Sequence, residues 1–314
     1  MAHAVLKFNK EKINEIKKHY QNALINKSAP GALFTAKTPD YTITAYQSGK
    51  VLFQGKNAEL EAAKWQAGNN QDAPSKKSAA AYSAPHQYLP PKNISDLTII
   101  GSDEVGTGDY FGPITVCAVH SGPEQHDILE QLGVKDSKSL TDERMIMIAR
   151  DLIKHVDYSL LILPNDKYNQ LQSRGYSQGK MKAILHNQAI LHVIDKLKAK
   201  NKAYDAVLID QFAKPDLYFS YIKDEKQQAR DKVFFQTKAE GLHLSVAAAS
   251  IIARYAFLKE MDKLSELAGQ KLPKGAGYKV DEAAADIIRK KGEGFLKNIA
   301  KIHFANTKKA QKLK

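Results

Sequence analysis

The stretch Ile99-Ile100-Gly101-Ser102-Asp103-Glu104-Val105-Gly106-Thr107-Gly108-Asp109-Tyr110-Phe111-Gly112-Pro113 decides how the rest of the chain is read. A buried-type strand at Leu97–Ile100 runs out into two carboxylates and then into a glycine-rich turn. A carboxylate just past a core strand is held rigidly yet reaches a cleft, which is what a metal site needs. Glycines beside it let a backbone or a phosphate come close. Neighbours on a regular strand, however, point to opposite faces. Asp103 and Glu104 therefore share a site only if the strand bends there, or if Glu104 contributes through its carbonyl. Taken alone, the same residues also fit a charged turn in which Asp103 caps a neighbouring element.

Two further acids occupy similar places. Asp210 ends the apolar run Ala206-Val207-Leu208-Ile209, and Glu240 lies between Phe234-Phe235 and a long helical pattern. Singly, Asp210 reads as a helix cap and Glu240 as a surface residue. Together with Asp103 and Glu104 they place four acids at strand ends or element junctions. Hard-oxygen sets of this kind hold Mg2+ or Mn2+, which keep some water and bind substrate phosphate oxygens.

Around these acids, apolar runs at Ile114–His120, Tyr158–Leu163, Ala206–Ile209 and Val233–Phe235 read as further strands. Helical patterns cover Asp142–Lys154, Met181–Lys198, Leu244–Leu267, Asp281–Lys291 and Glu293–Ile302. Strands in succession, then alternating with helices, predict an α/β fold with a mixed five-stranded sheet and flanking helices over 93–314. The lysine-rich end from Lys308 reads as frayed.

Ahead of this part stands a smaller unit, 1–67. Ala4–Phe8 reads as a strand, and Asn9 as the N-cap of a helix carrying Ile13, Ile16, Tyr20 and Leu24 on one face. Three strand-like runs follow at 31–37, 41–46 and 50–53, then a helix with Leu60, Ala63 and Trp65. The product is a small α+β unit with one open sheet face. Residues 68–92 are rich in Asn, Ser, Ala, Gln and Pro without an apolar period, and read as a linker.

Composition narrows the partners. The 314 residues carry a formal net charge of +13, which attracts polyanions, nucleic acid first among them. No apolar run is long enough to span a bilayer, so no membrane partner is expected. The lone Cys117 cannot form an internal disulfide or a multi-cysteine zinc site, and fits a reducing cytoplasm. The chain is expected to be cytoplasmic and monomeric.

The string at 103–113 resembles the signature of the type III ribonuclease H family. So do Lys135-Asp136-Ser137-Lys138-Ser139-Leu140, Met181-Lys182-Ala183-Ile184-Leu185-His186-Asn187, and Glu240 followed by Ser245-Val246-Ala247-Ala248-Ala249-Ser250-Ile251-Ile252-Ala253-Arg254. The resemblance runs in order from about Thr98 to Phe304. In the amino-terminal part it lies in element order, to that family's TATA-binding-protein-like domain. It implies a ribonuclease H-like fold with Asp103, Glu104, Asp210 and Glu240 as catalytic, metal-binding acids. It also implies an endonuclease acting on the RNA strand of RNA–DNA hybrids, leaving 3′-hydroxyl and 5′-phosphate ends.

In the sister type II family, which incises at single embedded ribonucleotides, the fourth acid is typically Asp. That family also usually carries a basic residue between the two glycines, where this chain has Thr107. Both departures favour type III over the type II alternative. Gly106, Thr107 and Gly108 are the expected readers of the ribose 2′-hydroxyl, and Ser137 and Lys138 the expected backbone contacts near the cut. His186 and His192 read as packing or polar-face residues of a helix, with His186 left open. His243 reads as a helix-start residue and Cys117 as core. The alanine run 247–249 reads as a close-packing surface.

Overall fold

The computed structural model describes residues 3–25, 32–47, 49–66, 87–135 and 141–313. The chain forms two compact units, Met1–Lys76 and Lys77–Lys314, each with its own five-stranded sheet. No helix is long and apolar enough to cross a membrane among the described residues.

The first unit contains β1 (His3–Lys7), α1 (Lys10–His19), β2 (Leu24–Ile25), β3 (Ala32–Lys37), β4 (Tyr41–Tyr46), β5 (Lys50–Gly55) and α2 (Ala58–Gln66). Its antiparallel sheet has the order β1-β5-β4-β3-β2. Asn9 starts α1 as expected, its side chain accepting a hydrogen bond from Lys12 N at 2.8 Å. Phe34, Ala36, Ile43, Ala45, Val51 and Phe53 alternate inward and meet Ile13 and Ile16 of α1 and Ala58 and Ala62 of α2. The opposite face carries residues such as Val5, which stays exposed.

Two helix-face expectations change. Leu24 lies past the end of α1, in the short strand β2, because the helix stops at His19. In α2, Leu60 faces solvent, and the buried side is Ala58, Glu61 and Ala62. Burying Glu61 is tolerated because Tyr20 Oη and Lys64 Nζ donate to its carboxylate.

The second unit contains β6 (Ile99–Val105), β7 (Ile114–Ser121), α3 (Pro123–Gln131), α4 (Asp142–Leu152), β8 (Asp157–Leu163), α5 (Asn165–Ser173) and α6 (Gln178–Ala199). It continues with β9 (Ala206–Asp210), α7 (Pro215–Tyr221), β10 (Val233–Gln236), α8 (Leu244–Ala268), α9 (Tyr278–Lys291) and α10 (Ala305–Leu313). The sheet order is β10-β9-β6-β7-β8. Strands β6, β9 and β10 run parallel, and β7 and β8 pair antiparallel. This is the mixed five-stranded sheet expected.

Helices cover both faces of that sheet. Ile100, Val116, Ala118, Val207 and Ile209 pack on Ala183, Ile190 and Val193 of α6. On the other face, Cys117 and Val119 pack on Ala247, Ala248 and Ala249 of α8. Gly101 is what lets α8 come this close: a Cβ there would lie 2.4 Å from Val246 N. The expected close-packing role of the alanine run is what the core contains.

Three differences from the sequence reading concern the edges of this unit. Most of the expected linker 68–92 lies outside the described residues. Within the part that is described, Tyr88 packs on Phe219 and Phe235, and its carbonyl accepts Phe235 N at 2.9 Å. Those residues belong to the core of the second unit. Glu293–Asn298 is a 3-10 turn rather than an α-helix reaching Ile302. The lysine-rich end is not frayed: α10 buries Ala310, and Asn306 Nδ2 bonds Asp281 Oδ1 at 2.5 Å. Long-range partners supply the stability that local composition lacks.

Candidate active site

Strand β6 does not bend at its acids. Its register with β7 runs unbroken through Asp103↔Cys117 and Glu104↔Val116 to Val105↔Thr115. Asp103 and Glu104 therefore project to opposite faces of the sheet without the expected bend, which leaves the Glu104 carbonyl as the second expected route to a shared site. Asp103 lies on the α8 face, where the Ser250 side chain and the Glu104 amide hydrogen-bond its carboxyl. Glu104 lies on the α6 face. Lys182 Nζ is 2.8 Å from its Oε1 and His186 Nε2 is 2.9 Å from its Oε2.

Parallel pairing brings a second acid beside Asp103. The β6–β9 ladder runs from Ile99↔Ala206 to Ser102↔Ile209. Asp103, inside β6 two residues before its end, and Asp210, the last residue of β9, follow one step later on the same face. Asp210 Oδ1 accepts the Ala239 amide at 2.9 Å, which ties it to the turn at Ala239–Gly241 that presents Glu240. The capping role read for Asp210 and a place among the acids thus coincide.

Electrostatics bind the group together. Burial raises the Asp103 pKa well above the usual carboxylate range, and the charges of Glu104 and Asp210 raise it further. Burial also lifts Asp210 to about 6; the Ala239 amide opposes this, while Glu240 and Glu104 add to it. Burial would raise Glu104 too, but His186 and Lys182 outweigh it and bring the carboxyl down to about 2. Glu104 alone of these three carboxyls is lowered, because Lys182 and His186 partner it, whereas Asp103 and Asp210 are raised.

That donor set fits a divalent cation. All four side chains offer hard oxygens, and a bound cation would relieve the repulsion that adds to burial in raising Asp103 and Asp210. Among the described residues no three of His, Cys, Asp or Glu converge as a finished metal cage. The acids are neighbours near the carboxyl ends of the interior strands β6 and β9 rather than a closed shell.

The glycine turn lies immediately beyond. Gly106 has φ 94°, and a Cβ on it would lie 2.2 Å from Pro113 O, so the residue type is dictated there. Thr107 O accepts Gln178 Nε2 at 3.0 Å, while a Cβ on Gly108 would meet open space. Ser137 and Lys138 lie outside the described residues.

The sequence model of the ribonuclease HII family matches residues 100–307. Ribonuclease HIII of Bacillus licheniformis is 55% identical over 313 residues, covering 100% of this chain and 99% of its own. The chain belongs to the ribonuclease HIII family. It is thereby a metal-dependent endoribonuclease of the ribonuclease H class. Ribonuclease HIII of Bacillus subtilis is 54% identical over 313 residues, with 100% of this chain and 98% of its own covered. Among solved structures, Bst ribonuclease HIII in complex with Mn2+ is similar with a TM-score of 0.68 and 46% identity over 99% of both chains. Aquifex aeolicus ribonuclease H3, at 22% identity and a TM-score of 0.52 over 96% of this chain and 99% of its own, shares the fold. A domain model of unknown function matches residues 3–78.

Several contributors escaped the sequence reading. Lys182 stands in the quoted motif without a role in the sequence reading, and His186 is left open there. The available signal was their four-residue spacing on a helix whose neighbours Met181, Ala183, Ala189 and Ile190 are apolar. Phe212, two residues past Asp210, stacks on the His186 ring at 5.1 Å and lies 4.0 Å under Lys182 Nζ. Ser250 and Ser102, the latter 2.7 Å from His186 Nδ1, carried no signal of their own.

Proposed function

We propose that this chain cuts the RNA strand of RNA–DNA hybrids at Asp103, Glu104, Asp210 and Glu240, leaving 3′-hydroxyl and 5′-phosphate ends. The observation that carries this reading is the placement of Asp103 and Asp210 side by side on the adjacent parallel strands β6 and β9, both with upward-shifted pKa values. Mg2+ or Mn2+ held by these acids would supply an activated water and a charge facing the departing 3′ oxygen.

The chain's own groups orient the acids. Ser250 and the Glu104 amide fix Asp103, the Ala239 amide fixes Asp210, and Lys182 with His186 fixes Glu104. Rigid placement of this kind removes the cost of arranging charges as the reaction proceeds.

Selection of RNA falls to the 106–108 turn. The Thr107 carbonyl is taken by Gln178, and no acceptor within the described residues meets the amides of Thr107 and Gly108. Two backbone donors beside the acids suit a ribose 2′-hydroxyl and its phosphate. Ser137 and Lys138 are assigned to the substrate backbone on the sequence motif. The first unit, with its lysines and a sheet carrying exposed residues such as Val5 and Leu33, is assigned to gripping the duplex. The buried lone Cys117 suits an enzyme of the reducing cytoplasm.

An end-labelled RNA–DNA hybrid and a DNA duplex of the same sequence test this reading. The RNA strand should be cut in Mg2+ or Mn2+ and left intact in chelator, and the DNA duplex should survive throughout. Cutting of the DNA duplex, or of the hybrid in chelator, would contradict it.

A further inference from the structure

Lys301 is fully buried, an uncommon state for a lysine, and among the described residues no carboxylate bonds its ammonium. Its Nζ donates instead to backbone carbonyls: Asp109 O at 2.9 Å, Gly112 O, and Pro113 O at a longer 3.4 Å. Three acceptors match the three hydrogens of an ammonium. The Tyr168 ring lies 5.7 Å from Nζ and adds a favourable face for the charge.

The backbone around Lys301 is tied to the same turn. Its amide donates to Tyr110 O at 2.8 Å, Gly112 N donates to Ile299 O at 3.0 Å, and Phe111 bridges Ala300. The carboxyl-terminal segment thereby forms a backing strip behind residues 109–113. The lysine side chain reaches three carbonyls spread over five residues, and so fixes how tightly the turn curls. The segment that follows Gly106-Thr107-Gly108 is the one so fixed.

We propose that Lys301 is a positioning residue that sets where the 106–108 turn meets the RNA backbone. This rests on the reading of that turn as the 2′-hydroxyl and phosphate contact. Lys301 does not reach the acids: Asp103 and Glu104 are held by the β6–β7 ladder, which ends before the turn. Its loss should therefore loosen substrate placement while leaving the metal site intact.

The test uses the full chain with Lys301→Met, Lys301→Gln and, as a separate probe of the turn, Gly108→Val. A valine side chain at 108 projects into open space and obstructs the substrate rather than the core. Steady-state cleavage of a hybrid in Mg2+ gives KM and kcat, and calorimetry gives Mn2+ binding to each variant. Lys301→Met should raise KM about tenfold or more, with kcat within about threefold and Mn2+ binding unchanged. Lys301→Gln, which keeps two donors on a shorter stem, should fall between it and the parent, and decides the matter if the Met variant does not fold. A merely structural role would lower the active fraction, and so kcat, without moving KM. If Gly108→Val raises KM but the folded Lys301 variants do not, the positioning role fails while the turn reading stands. If Gly108→Val leaves KM unchanged, the turn reading fails and the positioning role with it.

Discussion

His186 holds Glu104 by one oxygen, Nε2 to Oε2 at 2.9 Å, while Lys182 one helical turn earlier takes the other at 2.8 Å. Both ends of the Lys182–Glu104 pair are only 11% exposed, so solvent screens it little. Lys182→Met would leave a buried carboxylate with a single partner, at a cost of roughly 3–5 kcal/mol. Urea unfolding of the metal-free protein should show this loss, and added Mn2+ should reduce it. A metal-free variant as stable as the parent would mean that the pair contributes nothing net.

Acid should destabilise the fold through His243. Its Nδ1 accepts Ser245 N at 3.0 Å, capping α8, and its Nε2 faces Leu97 O at 3.1 Å, so the neutral ring with the proton on Nε2 fits both partners. Burial pushes its pKa down to about 4, the Leu97 carbonyl opposing and the nearby His126 adding to the fall. A folded-state pKa below the unfolded value of about 6.5 means that stability is full above pH 6.5 and lost as pH falls toward 4. The loss attributable to this group is about 3 kcal/mol, measured as unfolding free energy against pH. His243→Asn, which keeps a cap acceptor but does not titrate, should flatten the slope over that window. An unchanged slope would remove His243 as its source.

Much of this was legible in the sequence, for reasons that differ by residue. Asp210 ends an apolar run, so its place at the end of a core strand followed from local pattern. Asp103, read as just past its strand, lies inside β6, which continues to Val105 because β7 pairs with it there. That the two lie side by side did not follow from local pattern, because the β6–β9 pairing joins segments more than a hundred residues apart. The strand bend expected at Glu104 does not occur, since β7 pairs with β6 through both acids. Lys182 and Lys301 are polar residues whose value lies in distant partners, and composition marks such residues as surface. The order of α10 depends on Asn306 reaching Asp281, a contact invisible in a lysine-rich tail.

Deleting residues 1–86 should weaken hybrid binding more than it slows turnover at saturating substrate. The cut spares Tyr88, which packs in the second core, and removes none of the four acids. Each lost phosphate contact should lower the salt slope of log binding constant by roughly 0.7–0.9. Fluorescence anisotropy over a salt series measures both quantities. Equal affinity with an equal slope would assign the first unit another task.

Hybrids with several consecutive ribonucleotides should be cut more efficiently than DNA duplexes holding one, by about tenfold or more in kcat/KM. Thr107 brings a hydroxyl and a backbone donor to the turn but neither positive charge nor reach, and a grip on extended duplex rewards longer hybrids. Two end-labelled duplexes differing only in ribonucleotide number make the comparison. Equal efficiency would favour the single-ribonucleotide activity instead.

Asp210 carries the central claim, that the acids gathered near the carboxyl ends of β6 and β9 hold the metal that makes the chain a nuclease. Asp210→Asn keeps an oxygen to accept the Ala239 amide, so circular dichroism and unfolding should match the parent. It removes one negative charge from a buried group whose carboxyls already repel, so stability should not fall. Measured on one folded preparation, Mn2+ binding by calorimetry should weaken sharply, and hybrid cleavage in Mg2+ should drop about a thousandfold, equivalent to about 4 kcal/mol. Parent-like Mn2+ binding and turnover from correctly folded Asp210→Asn protein would contradict the account.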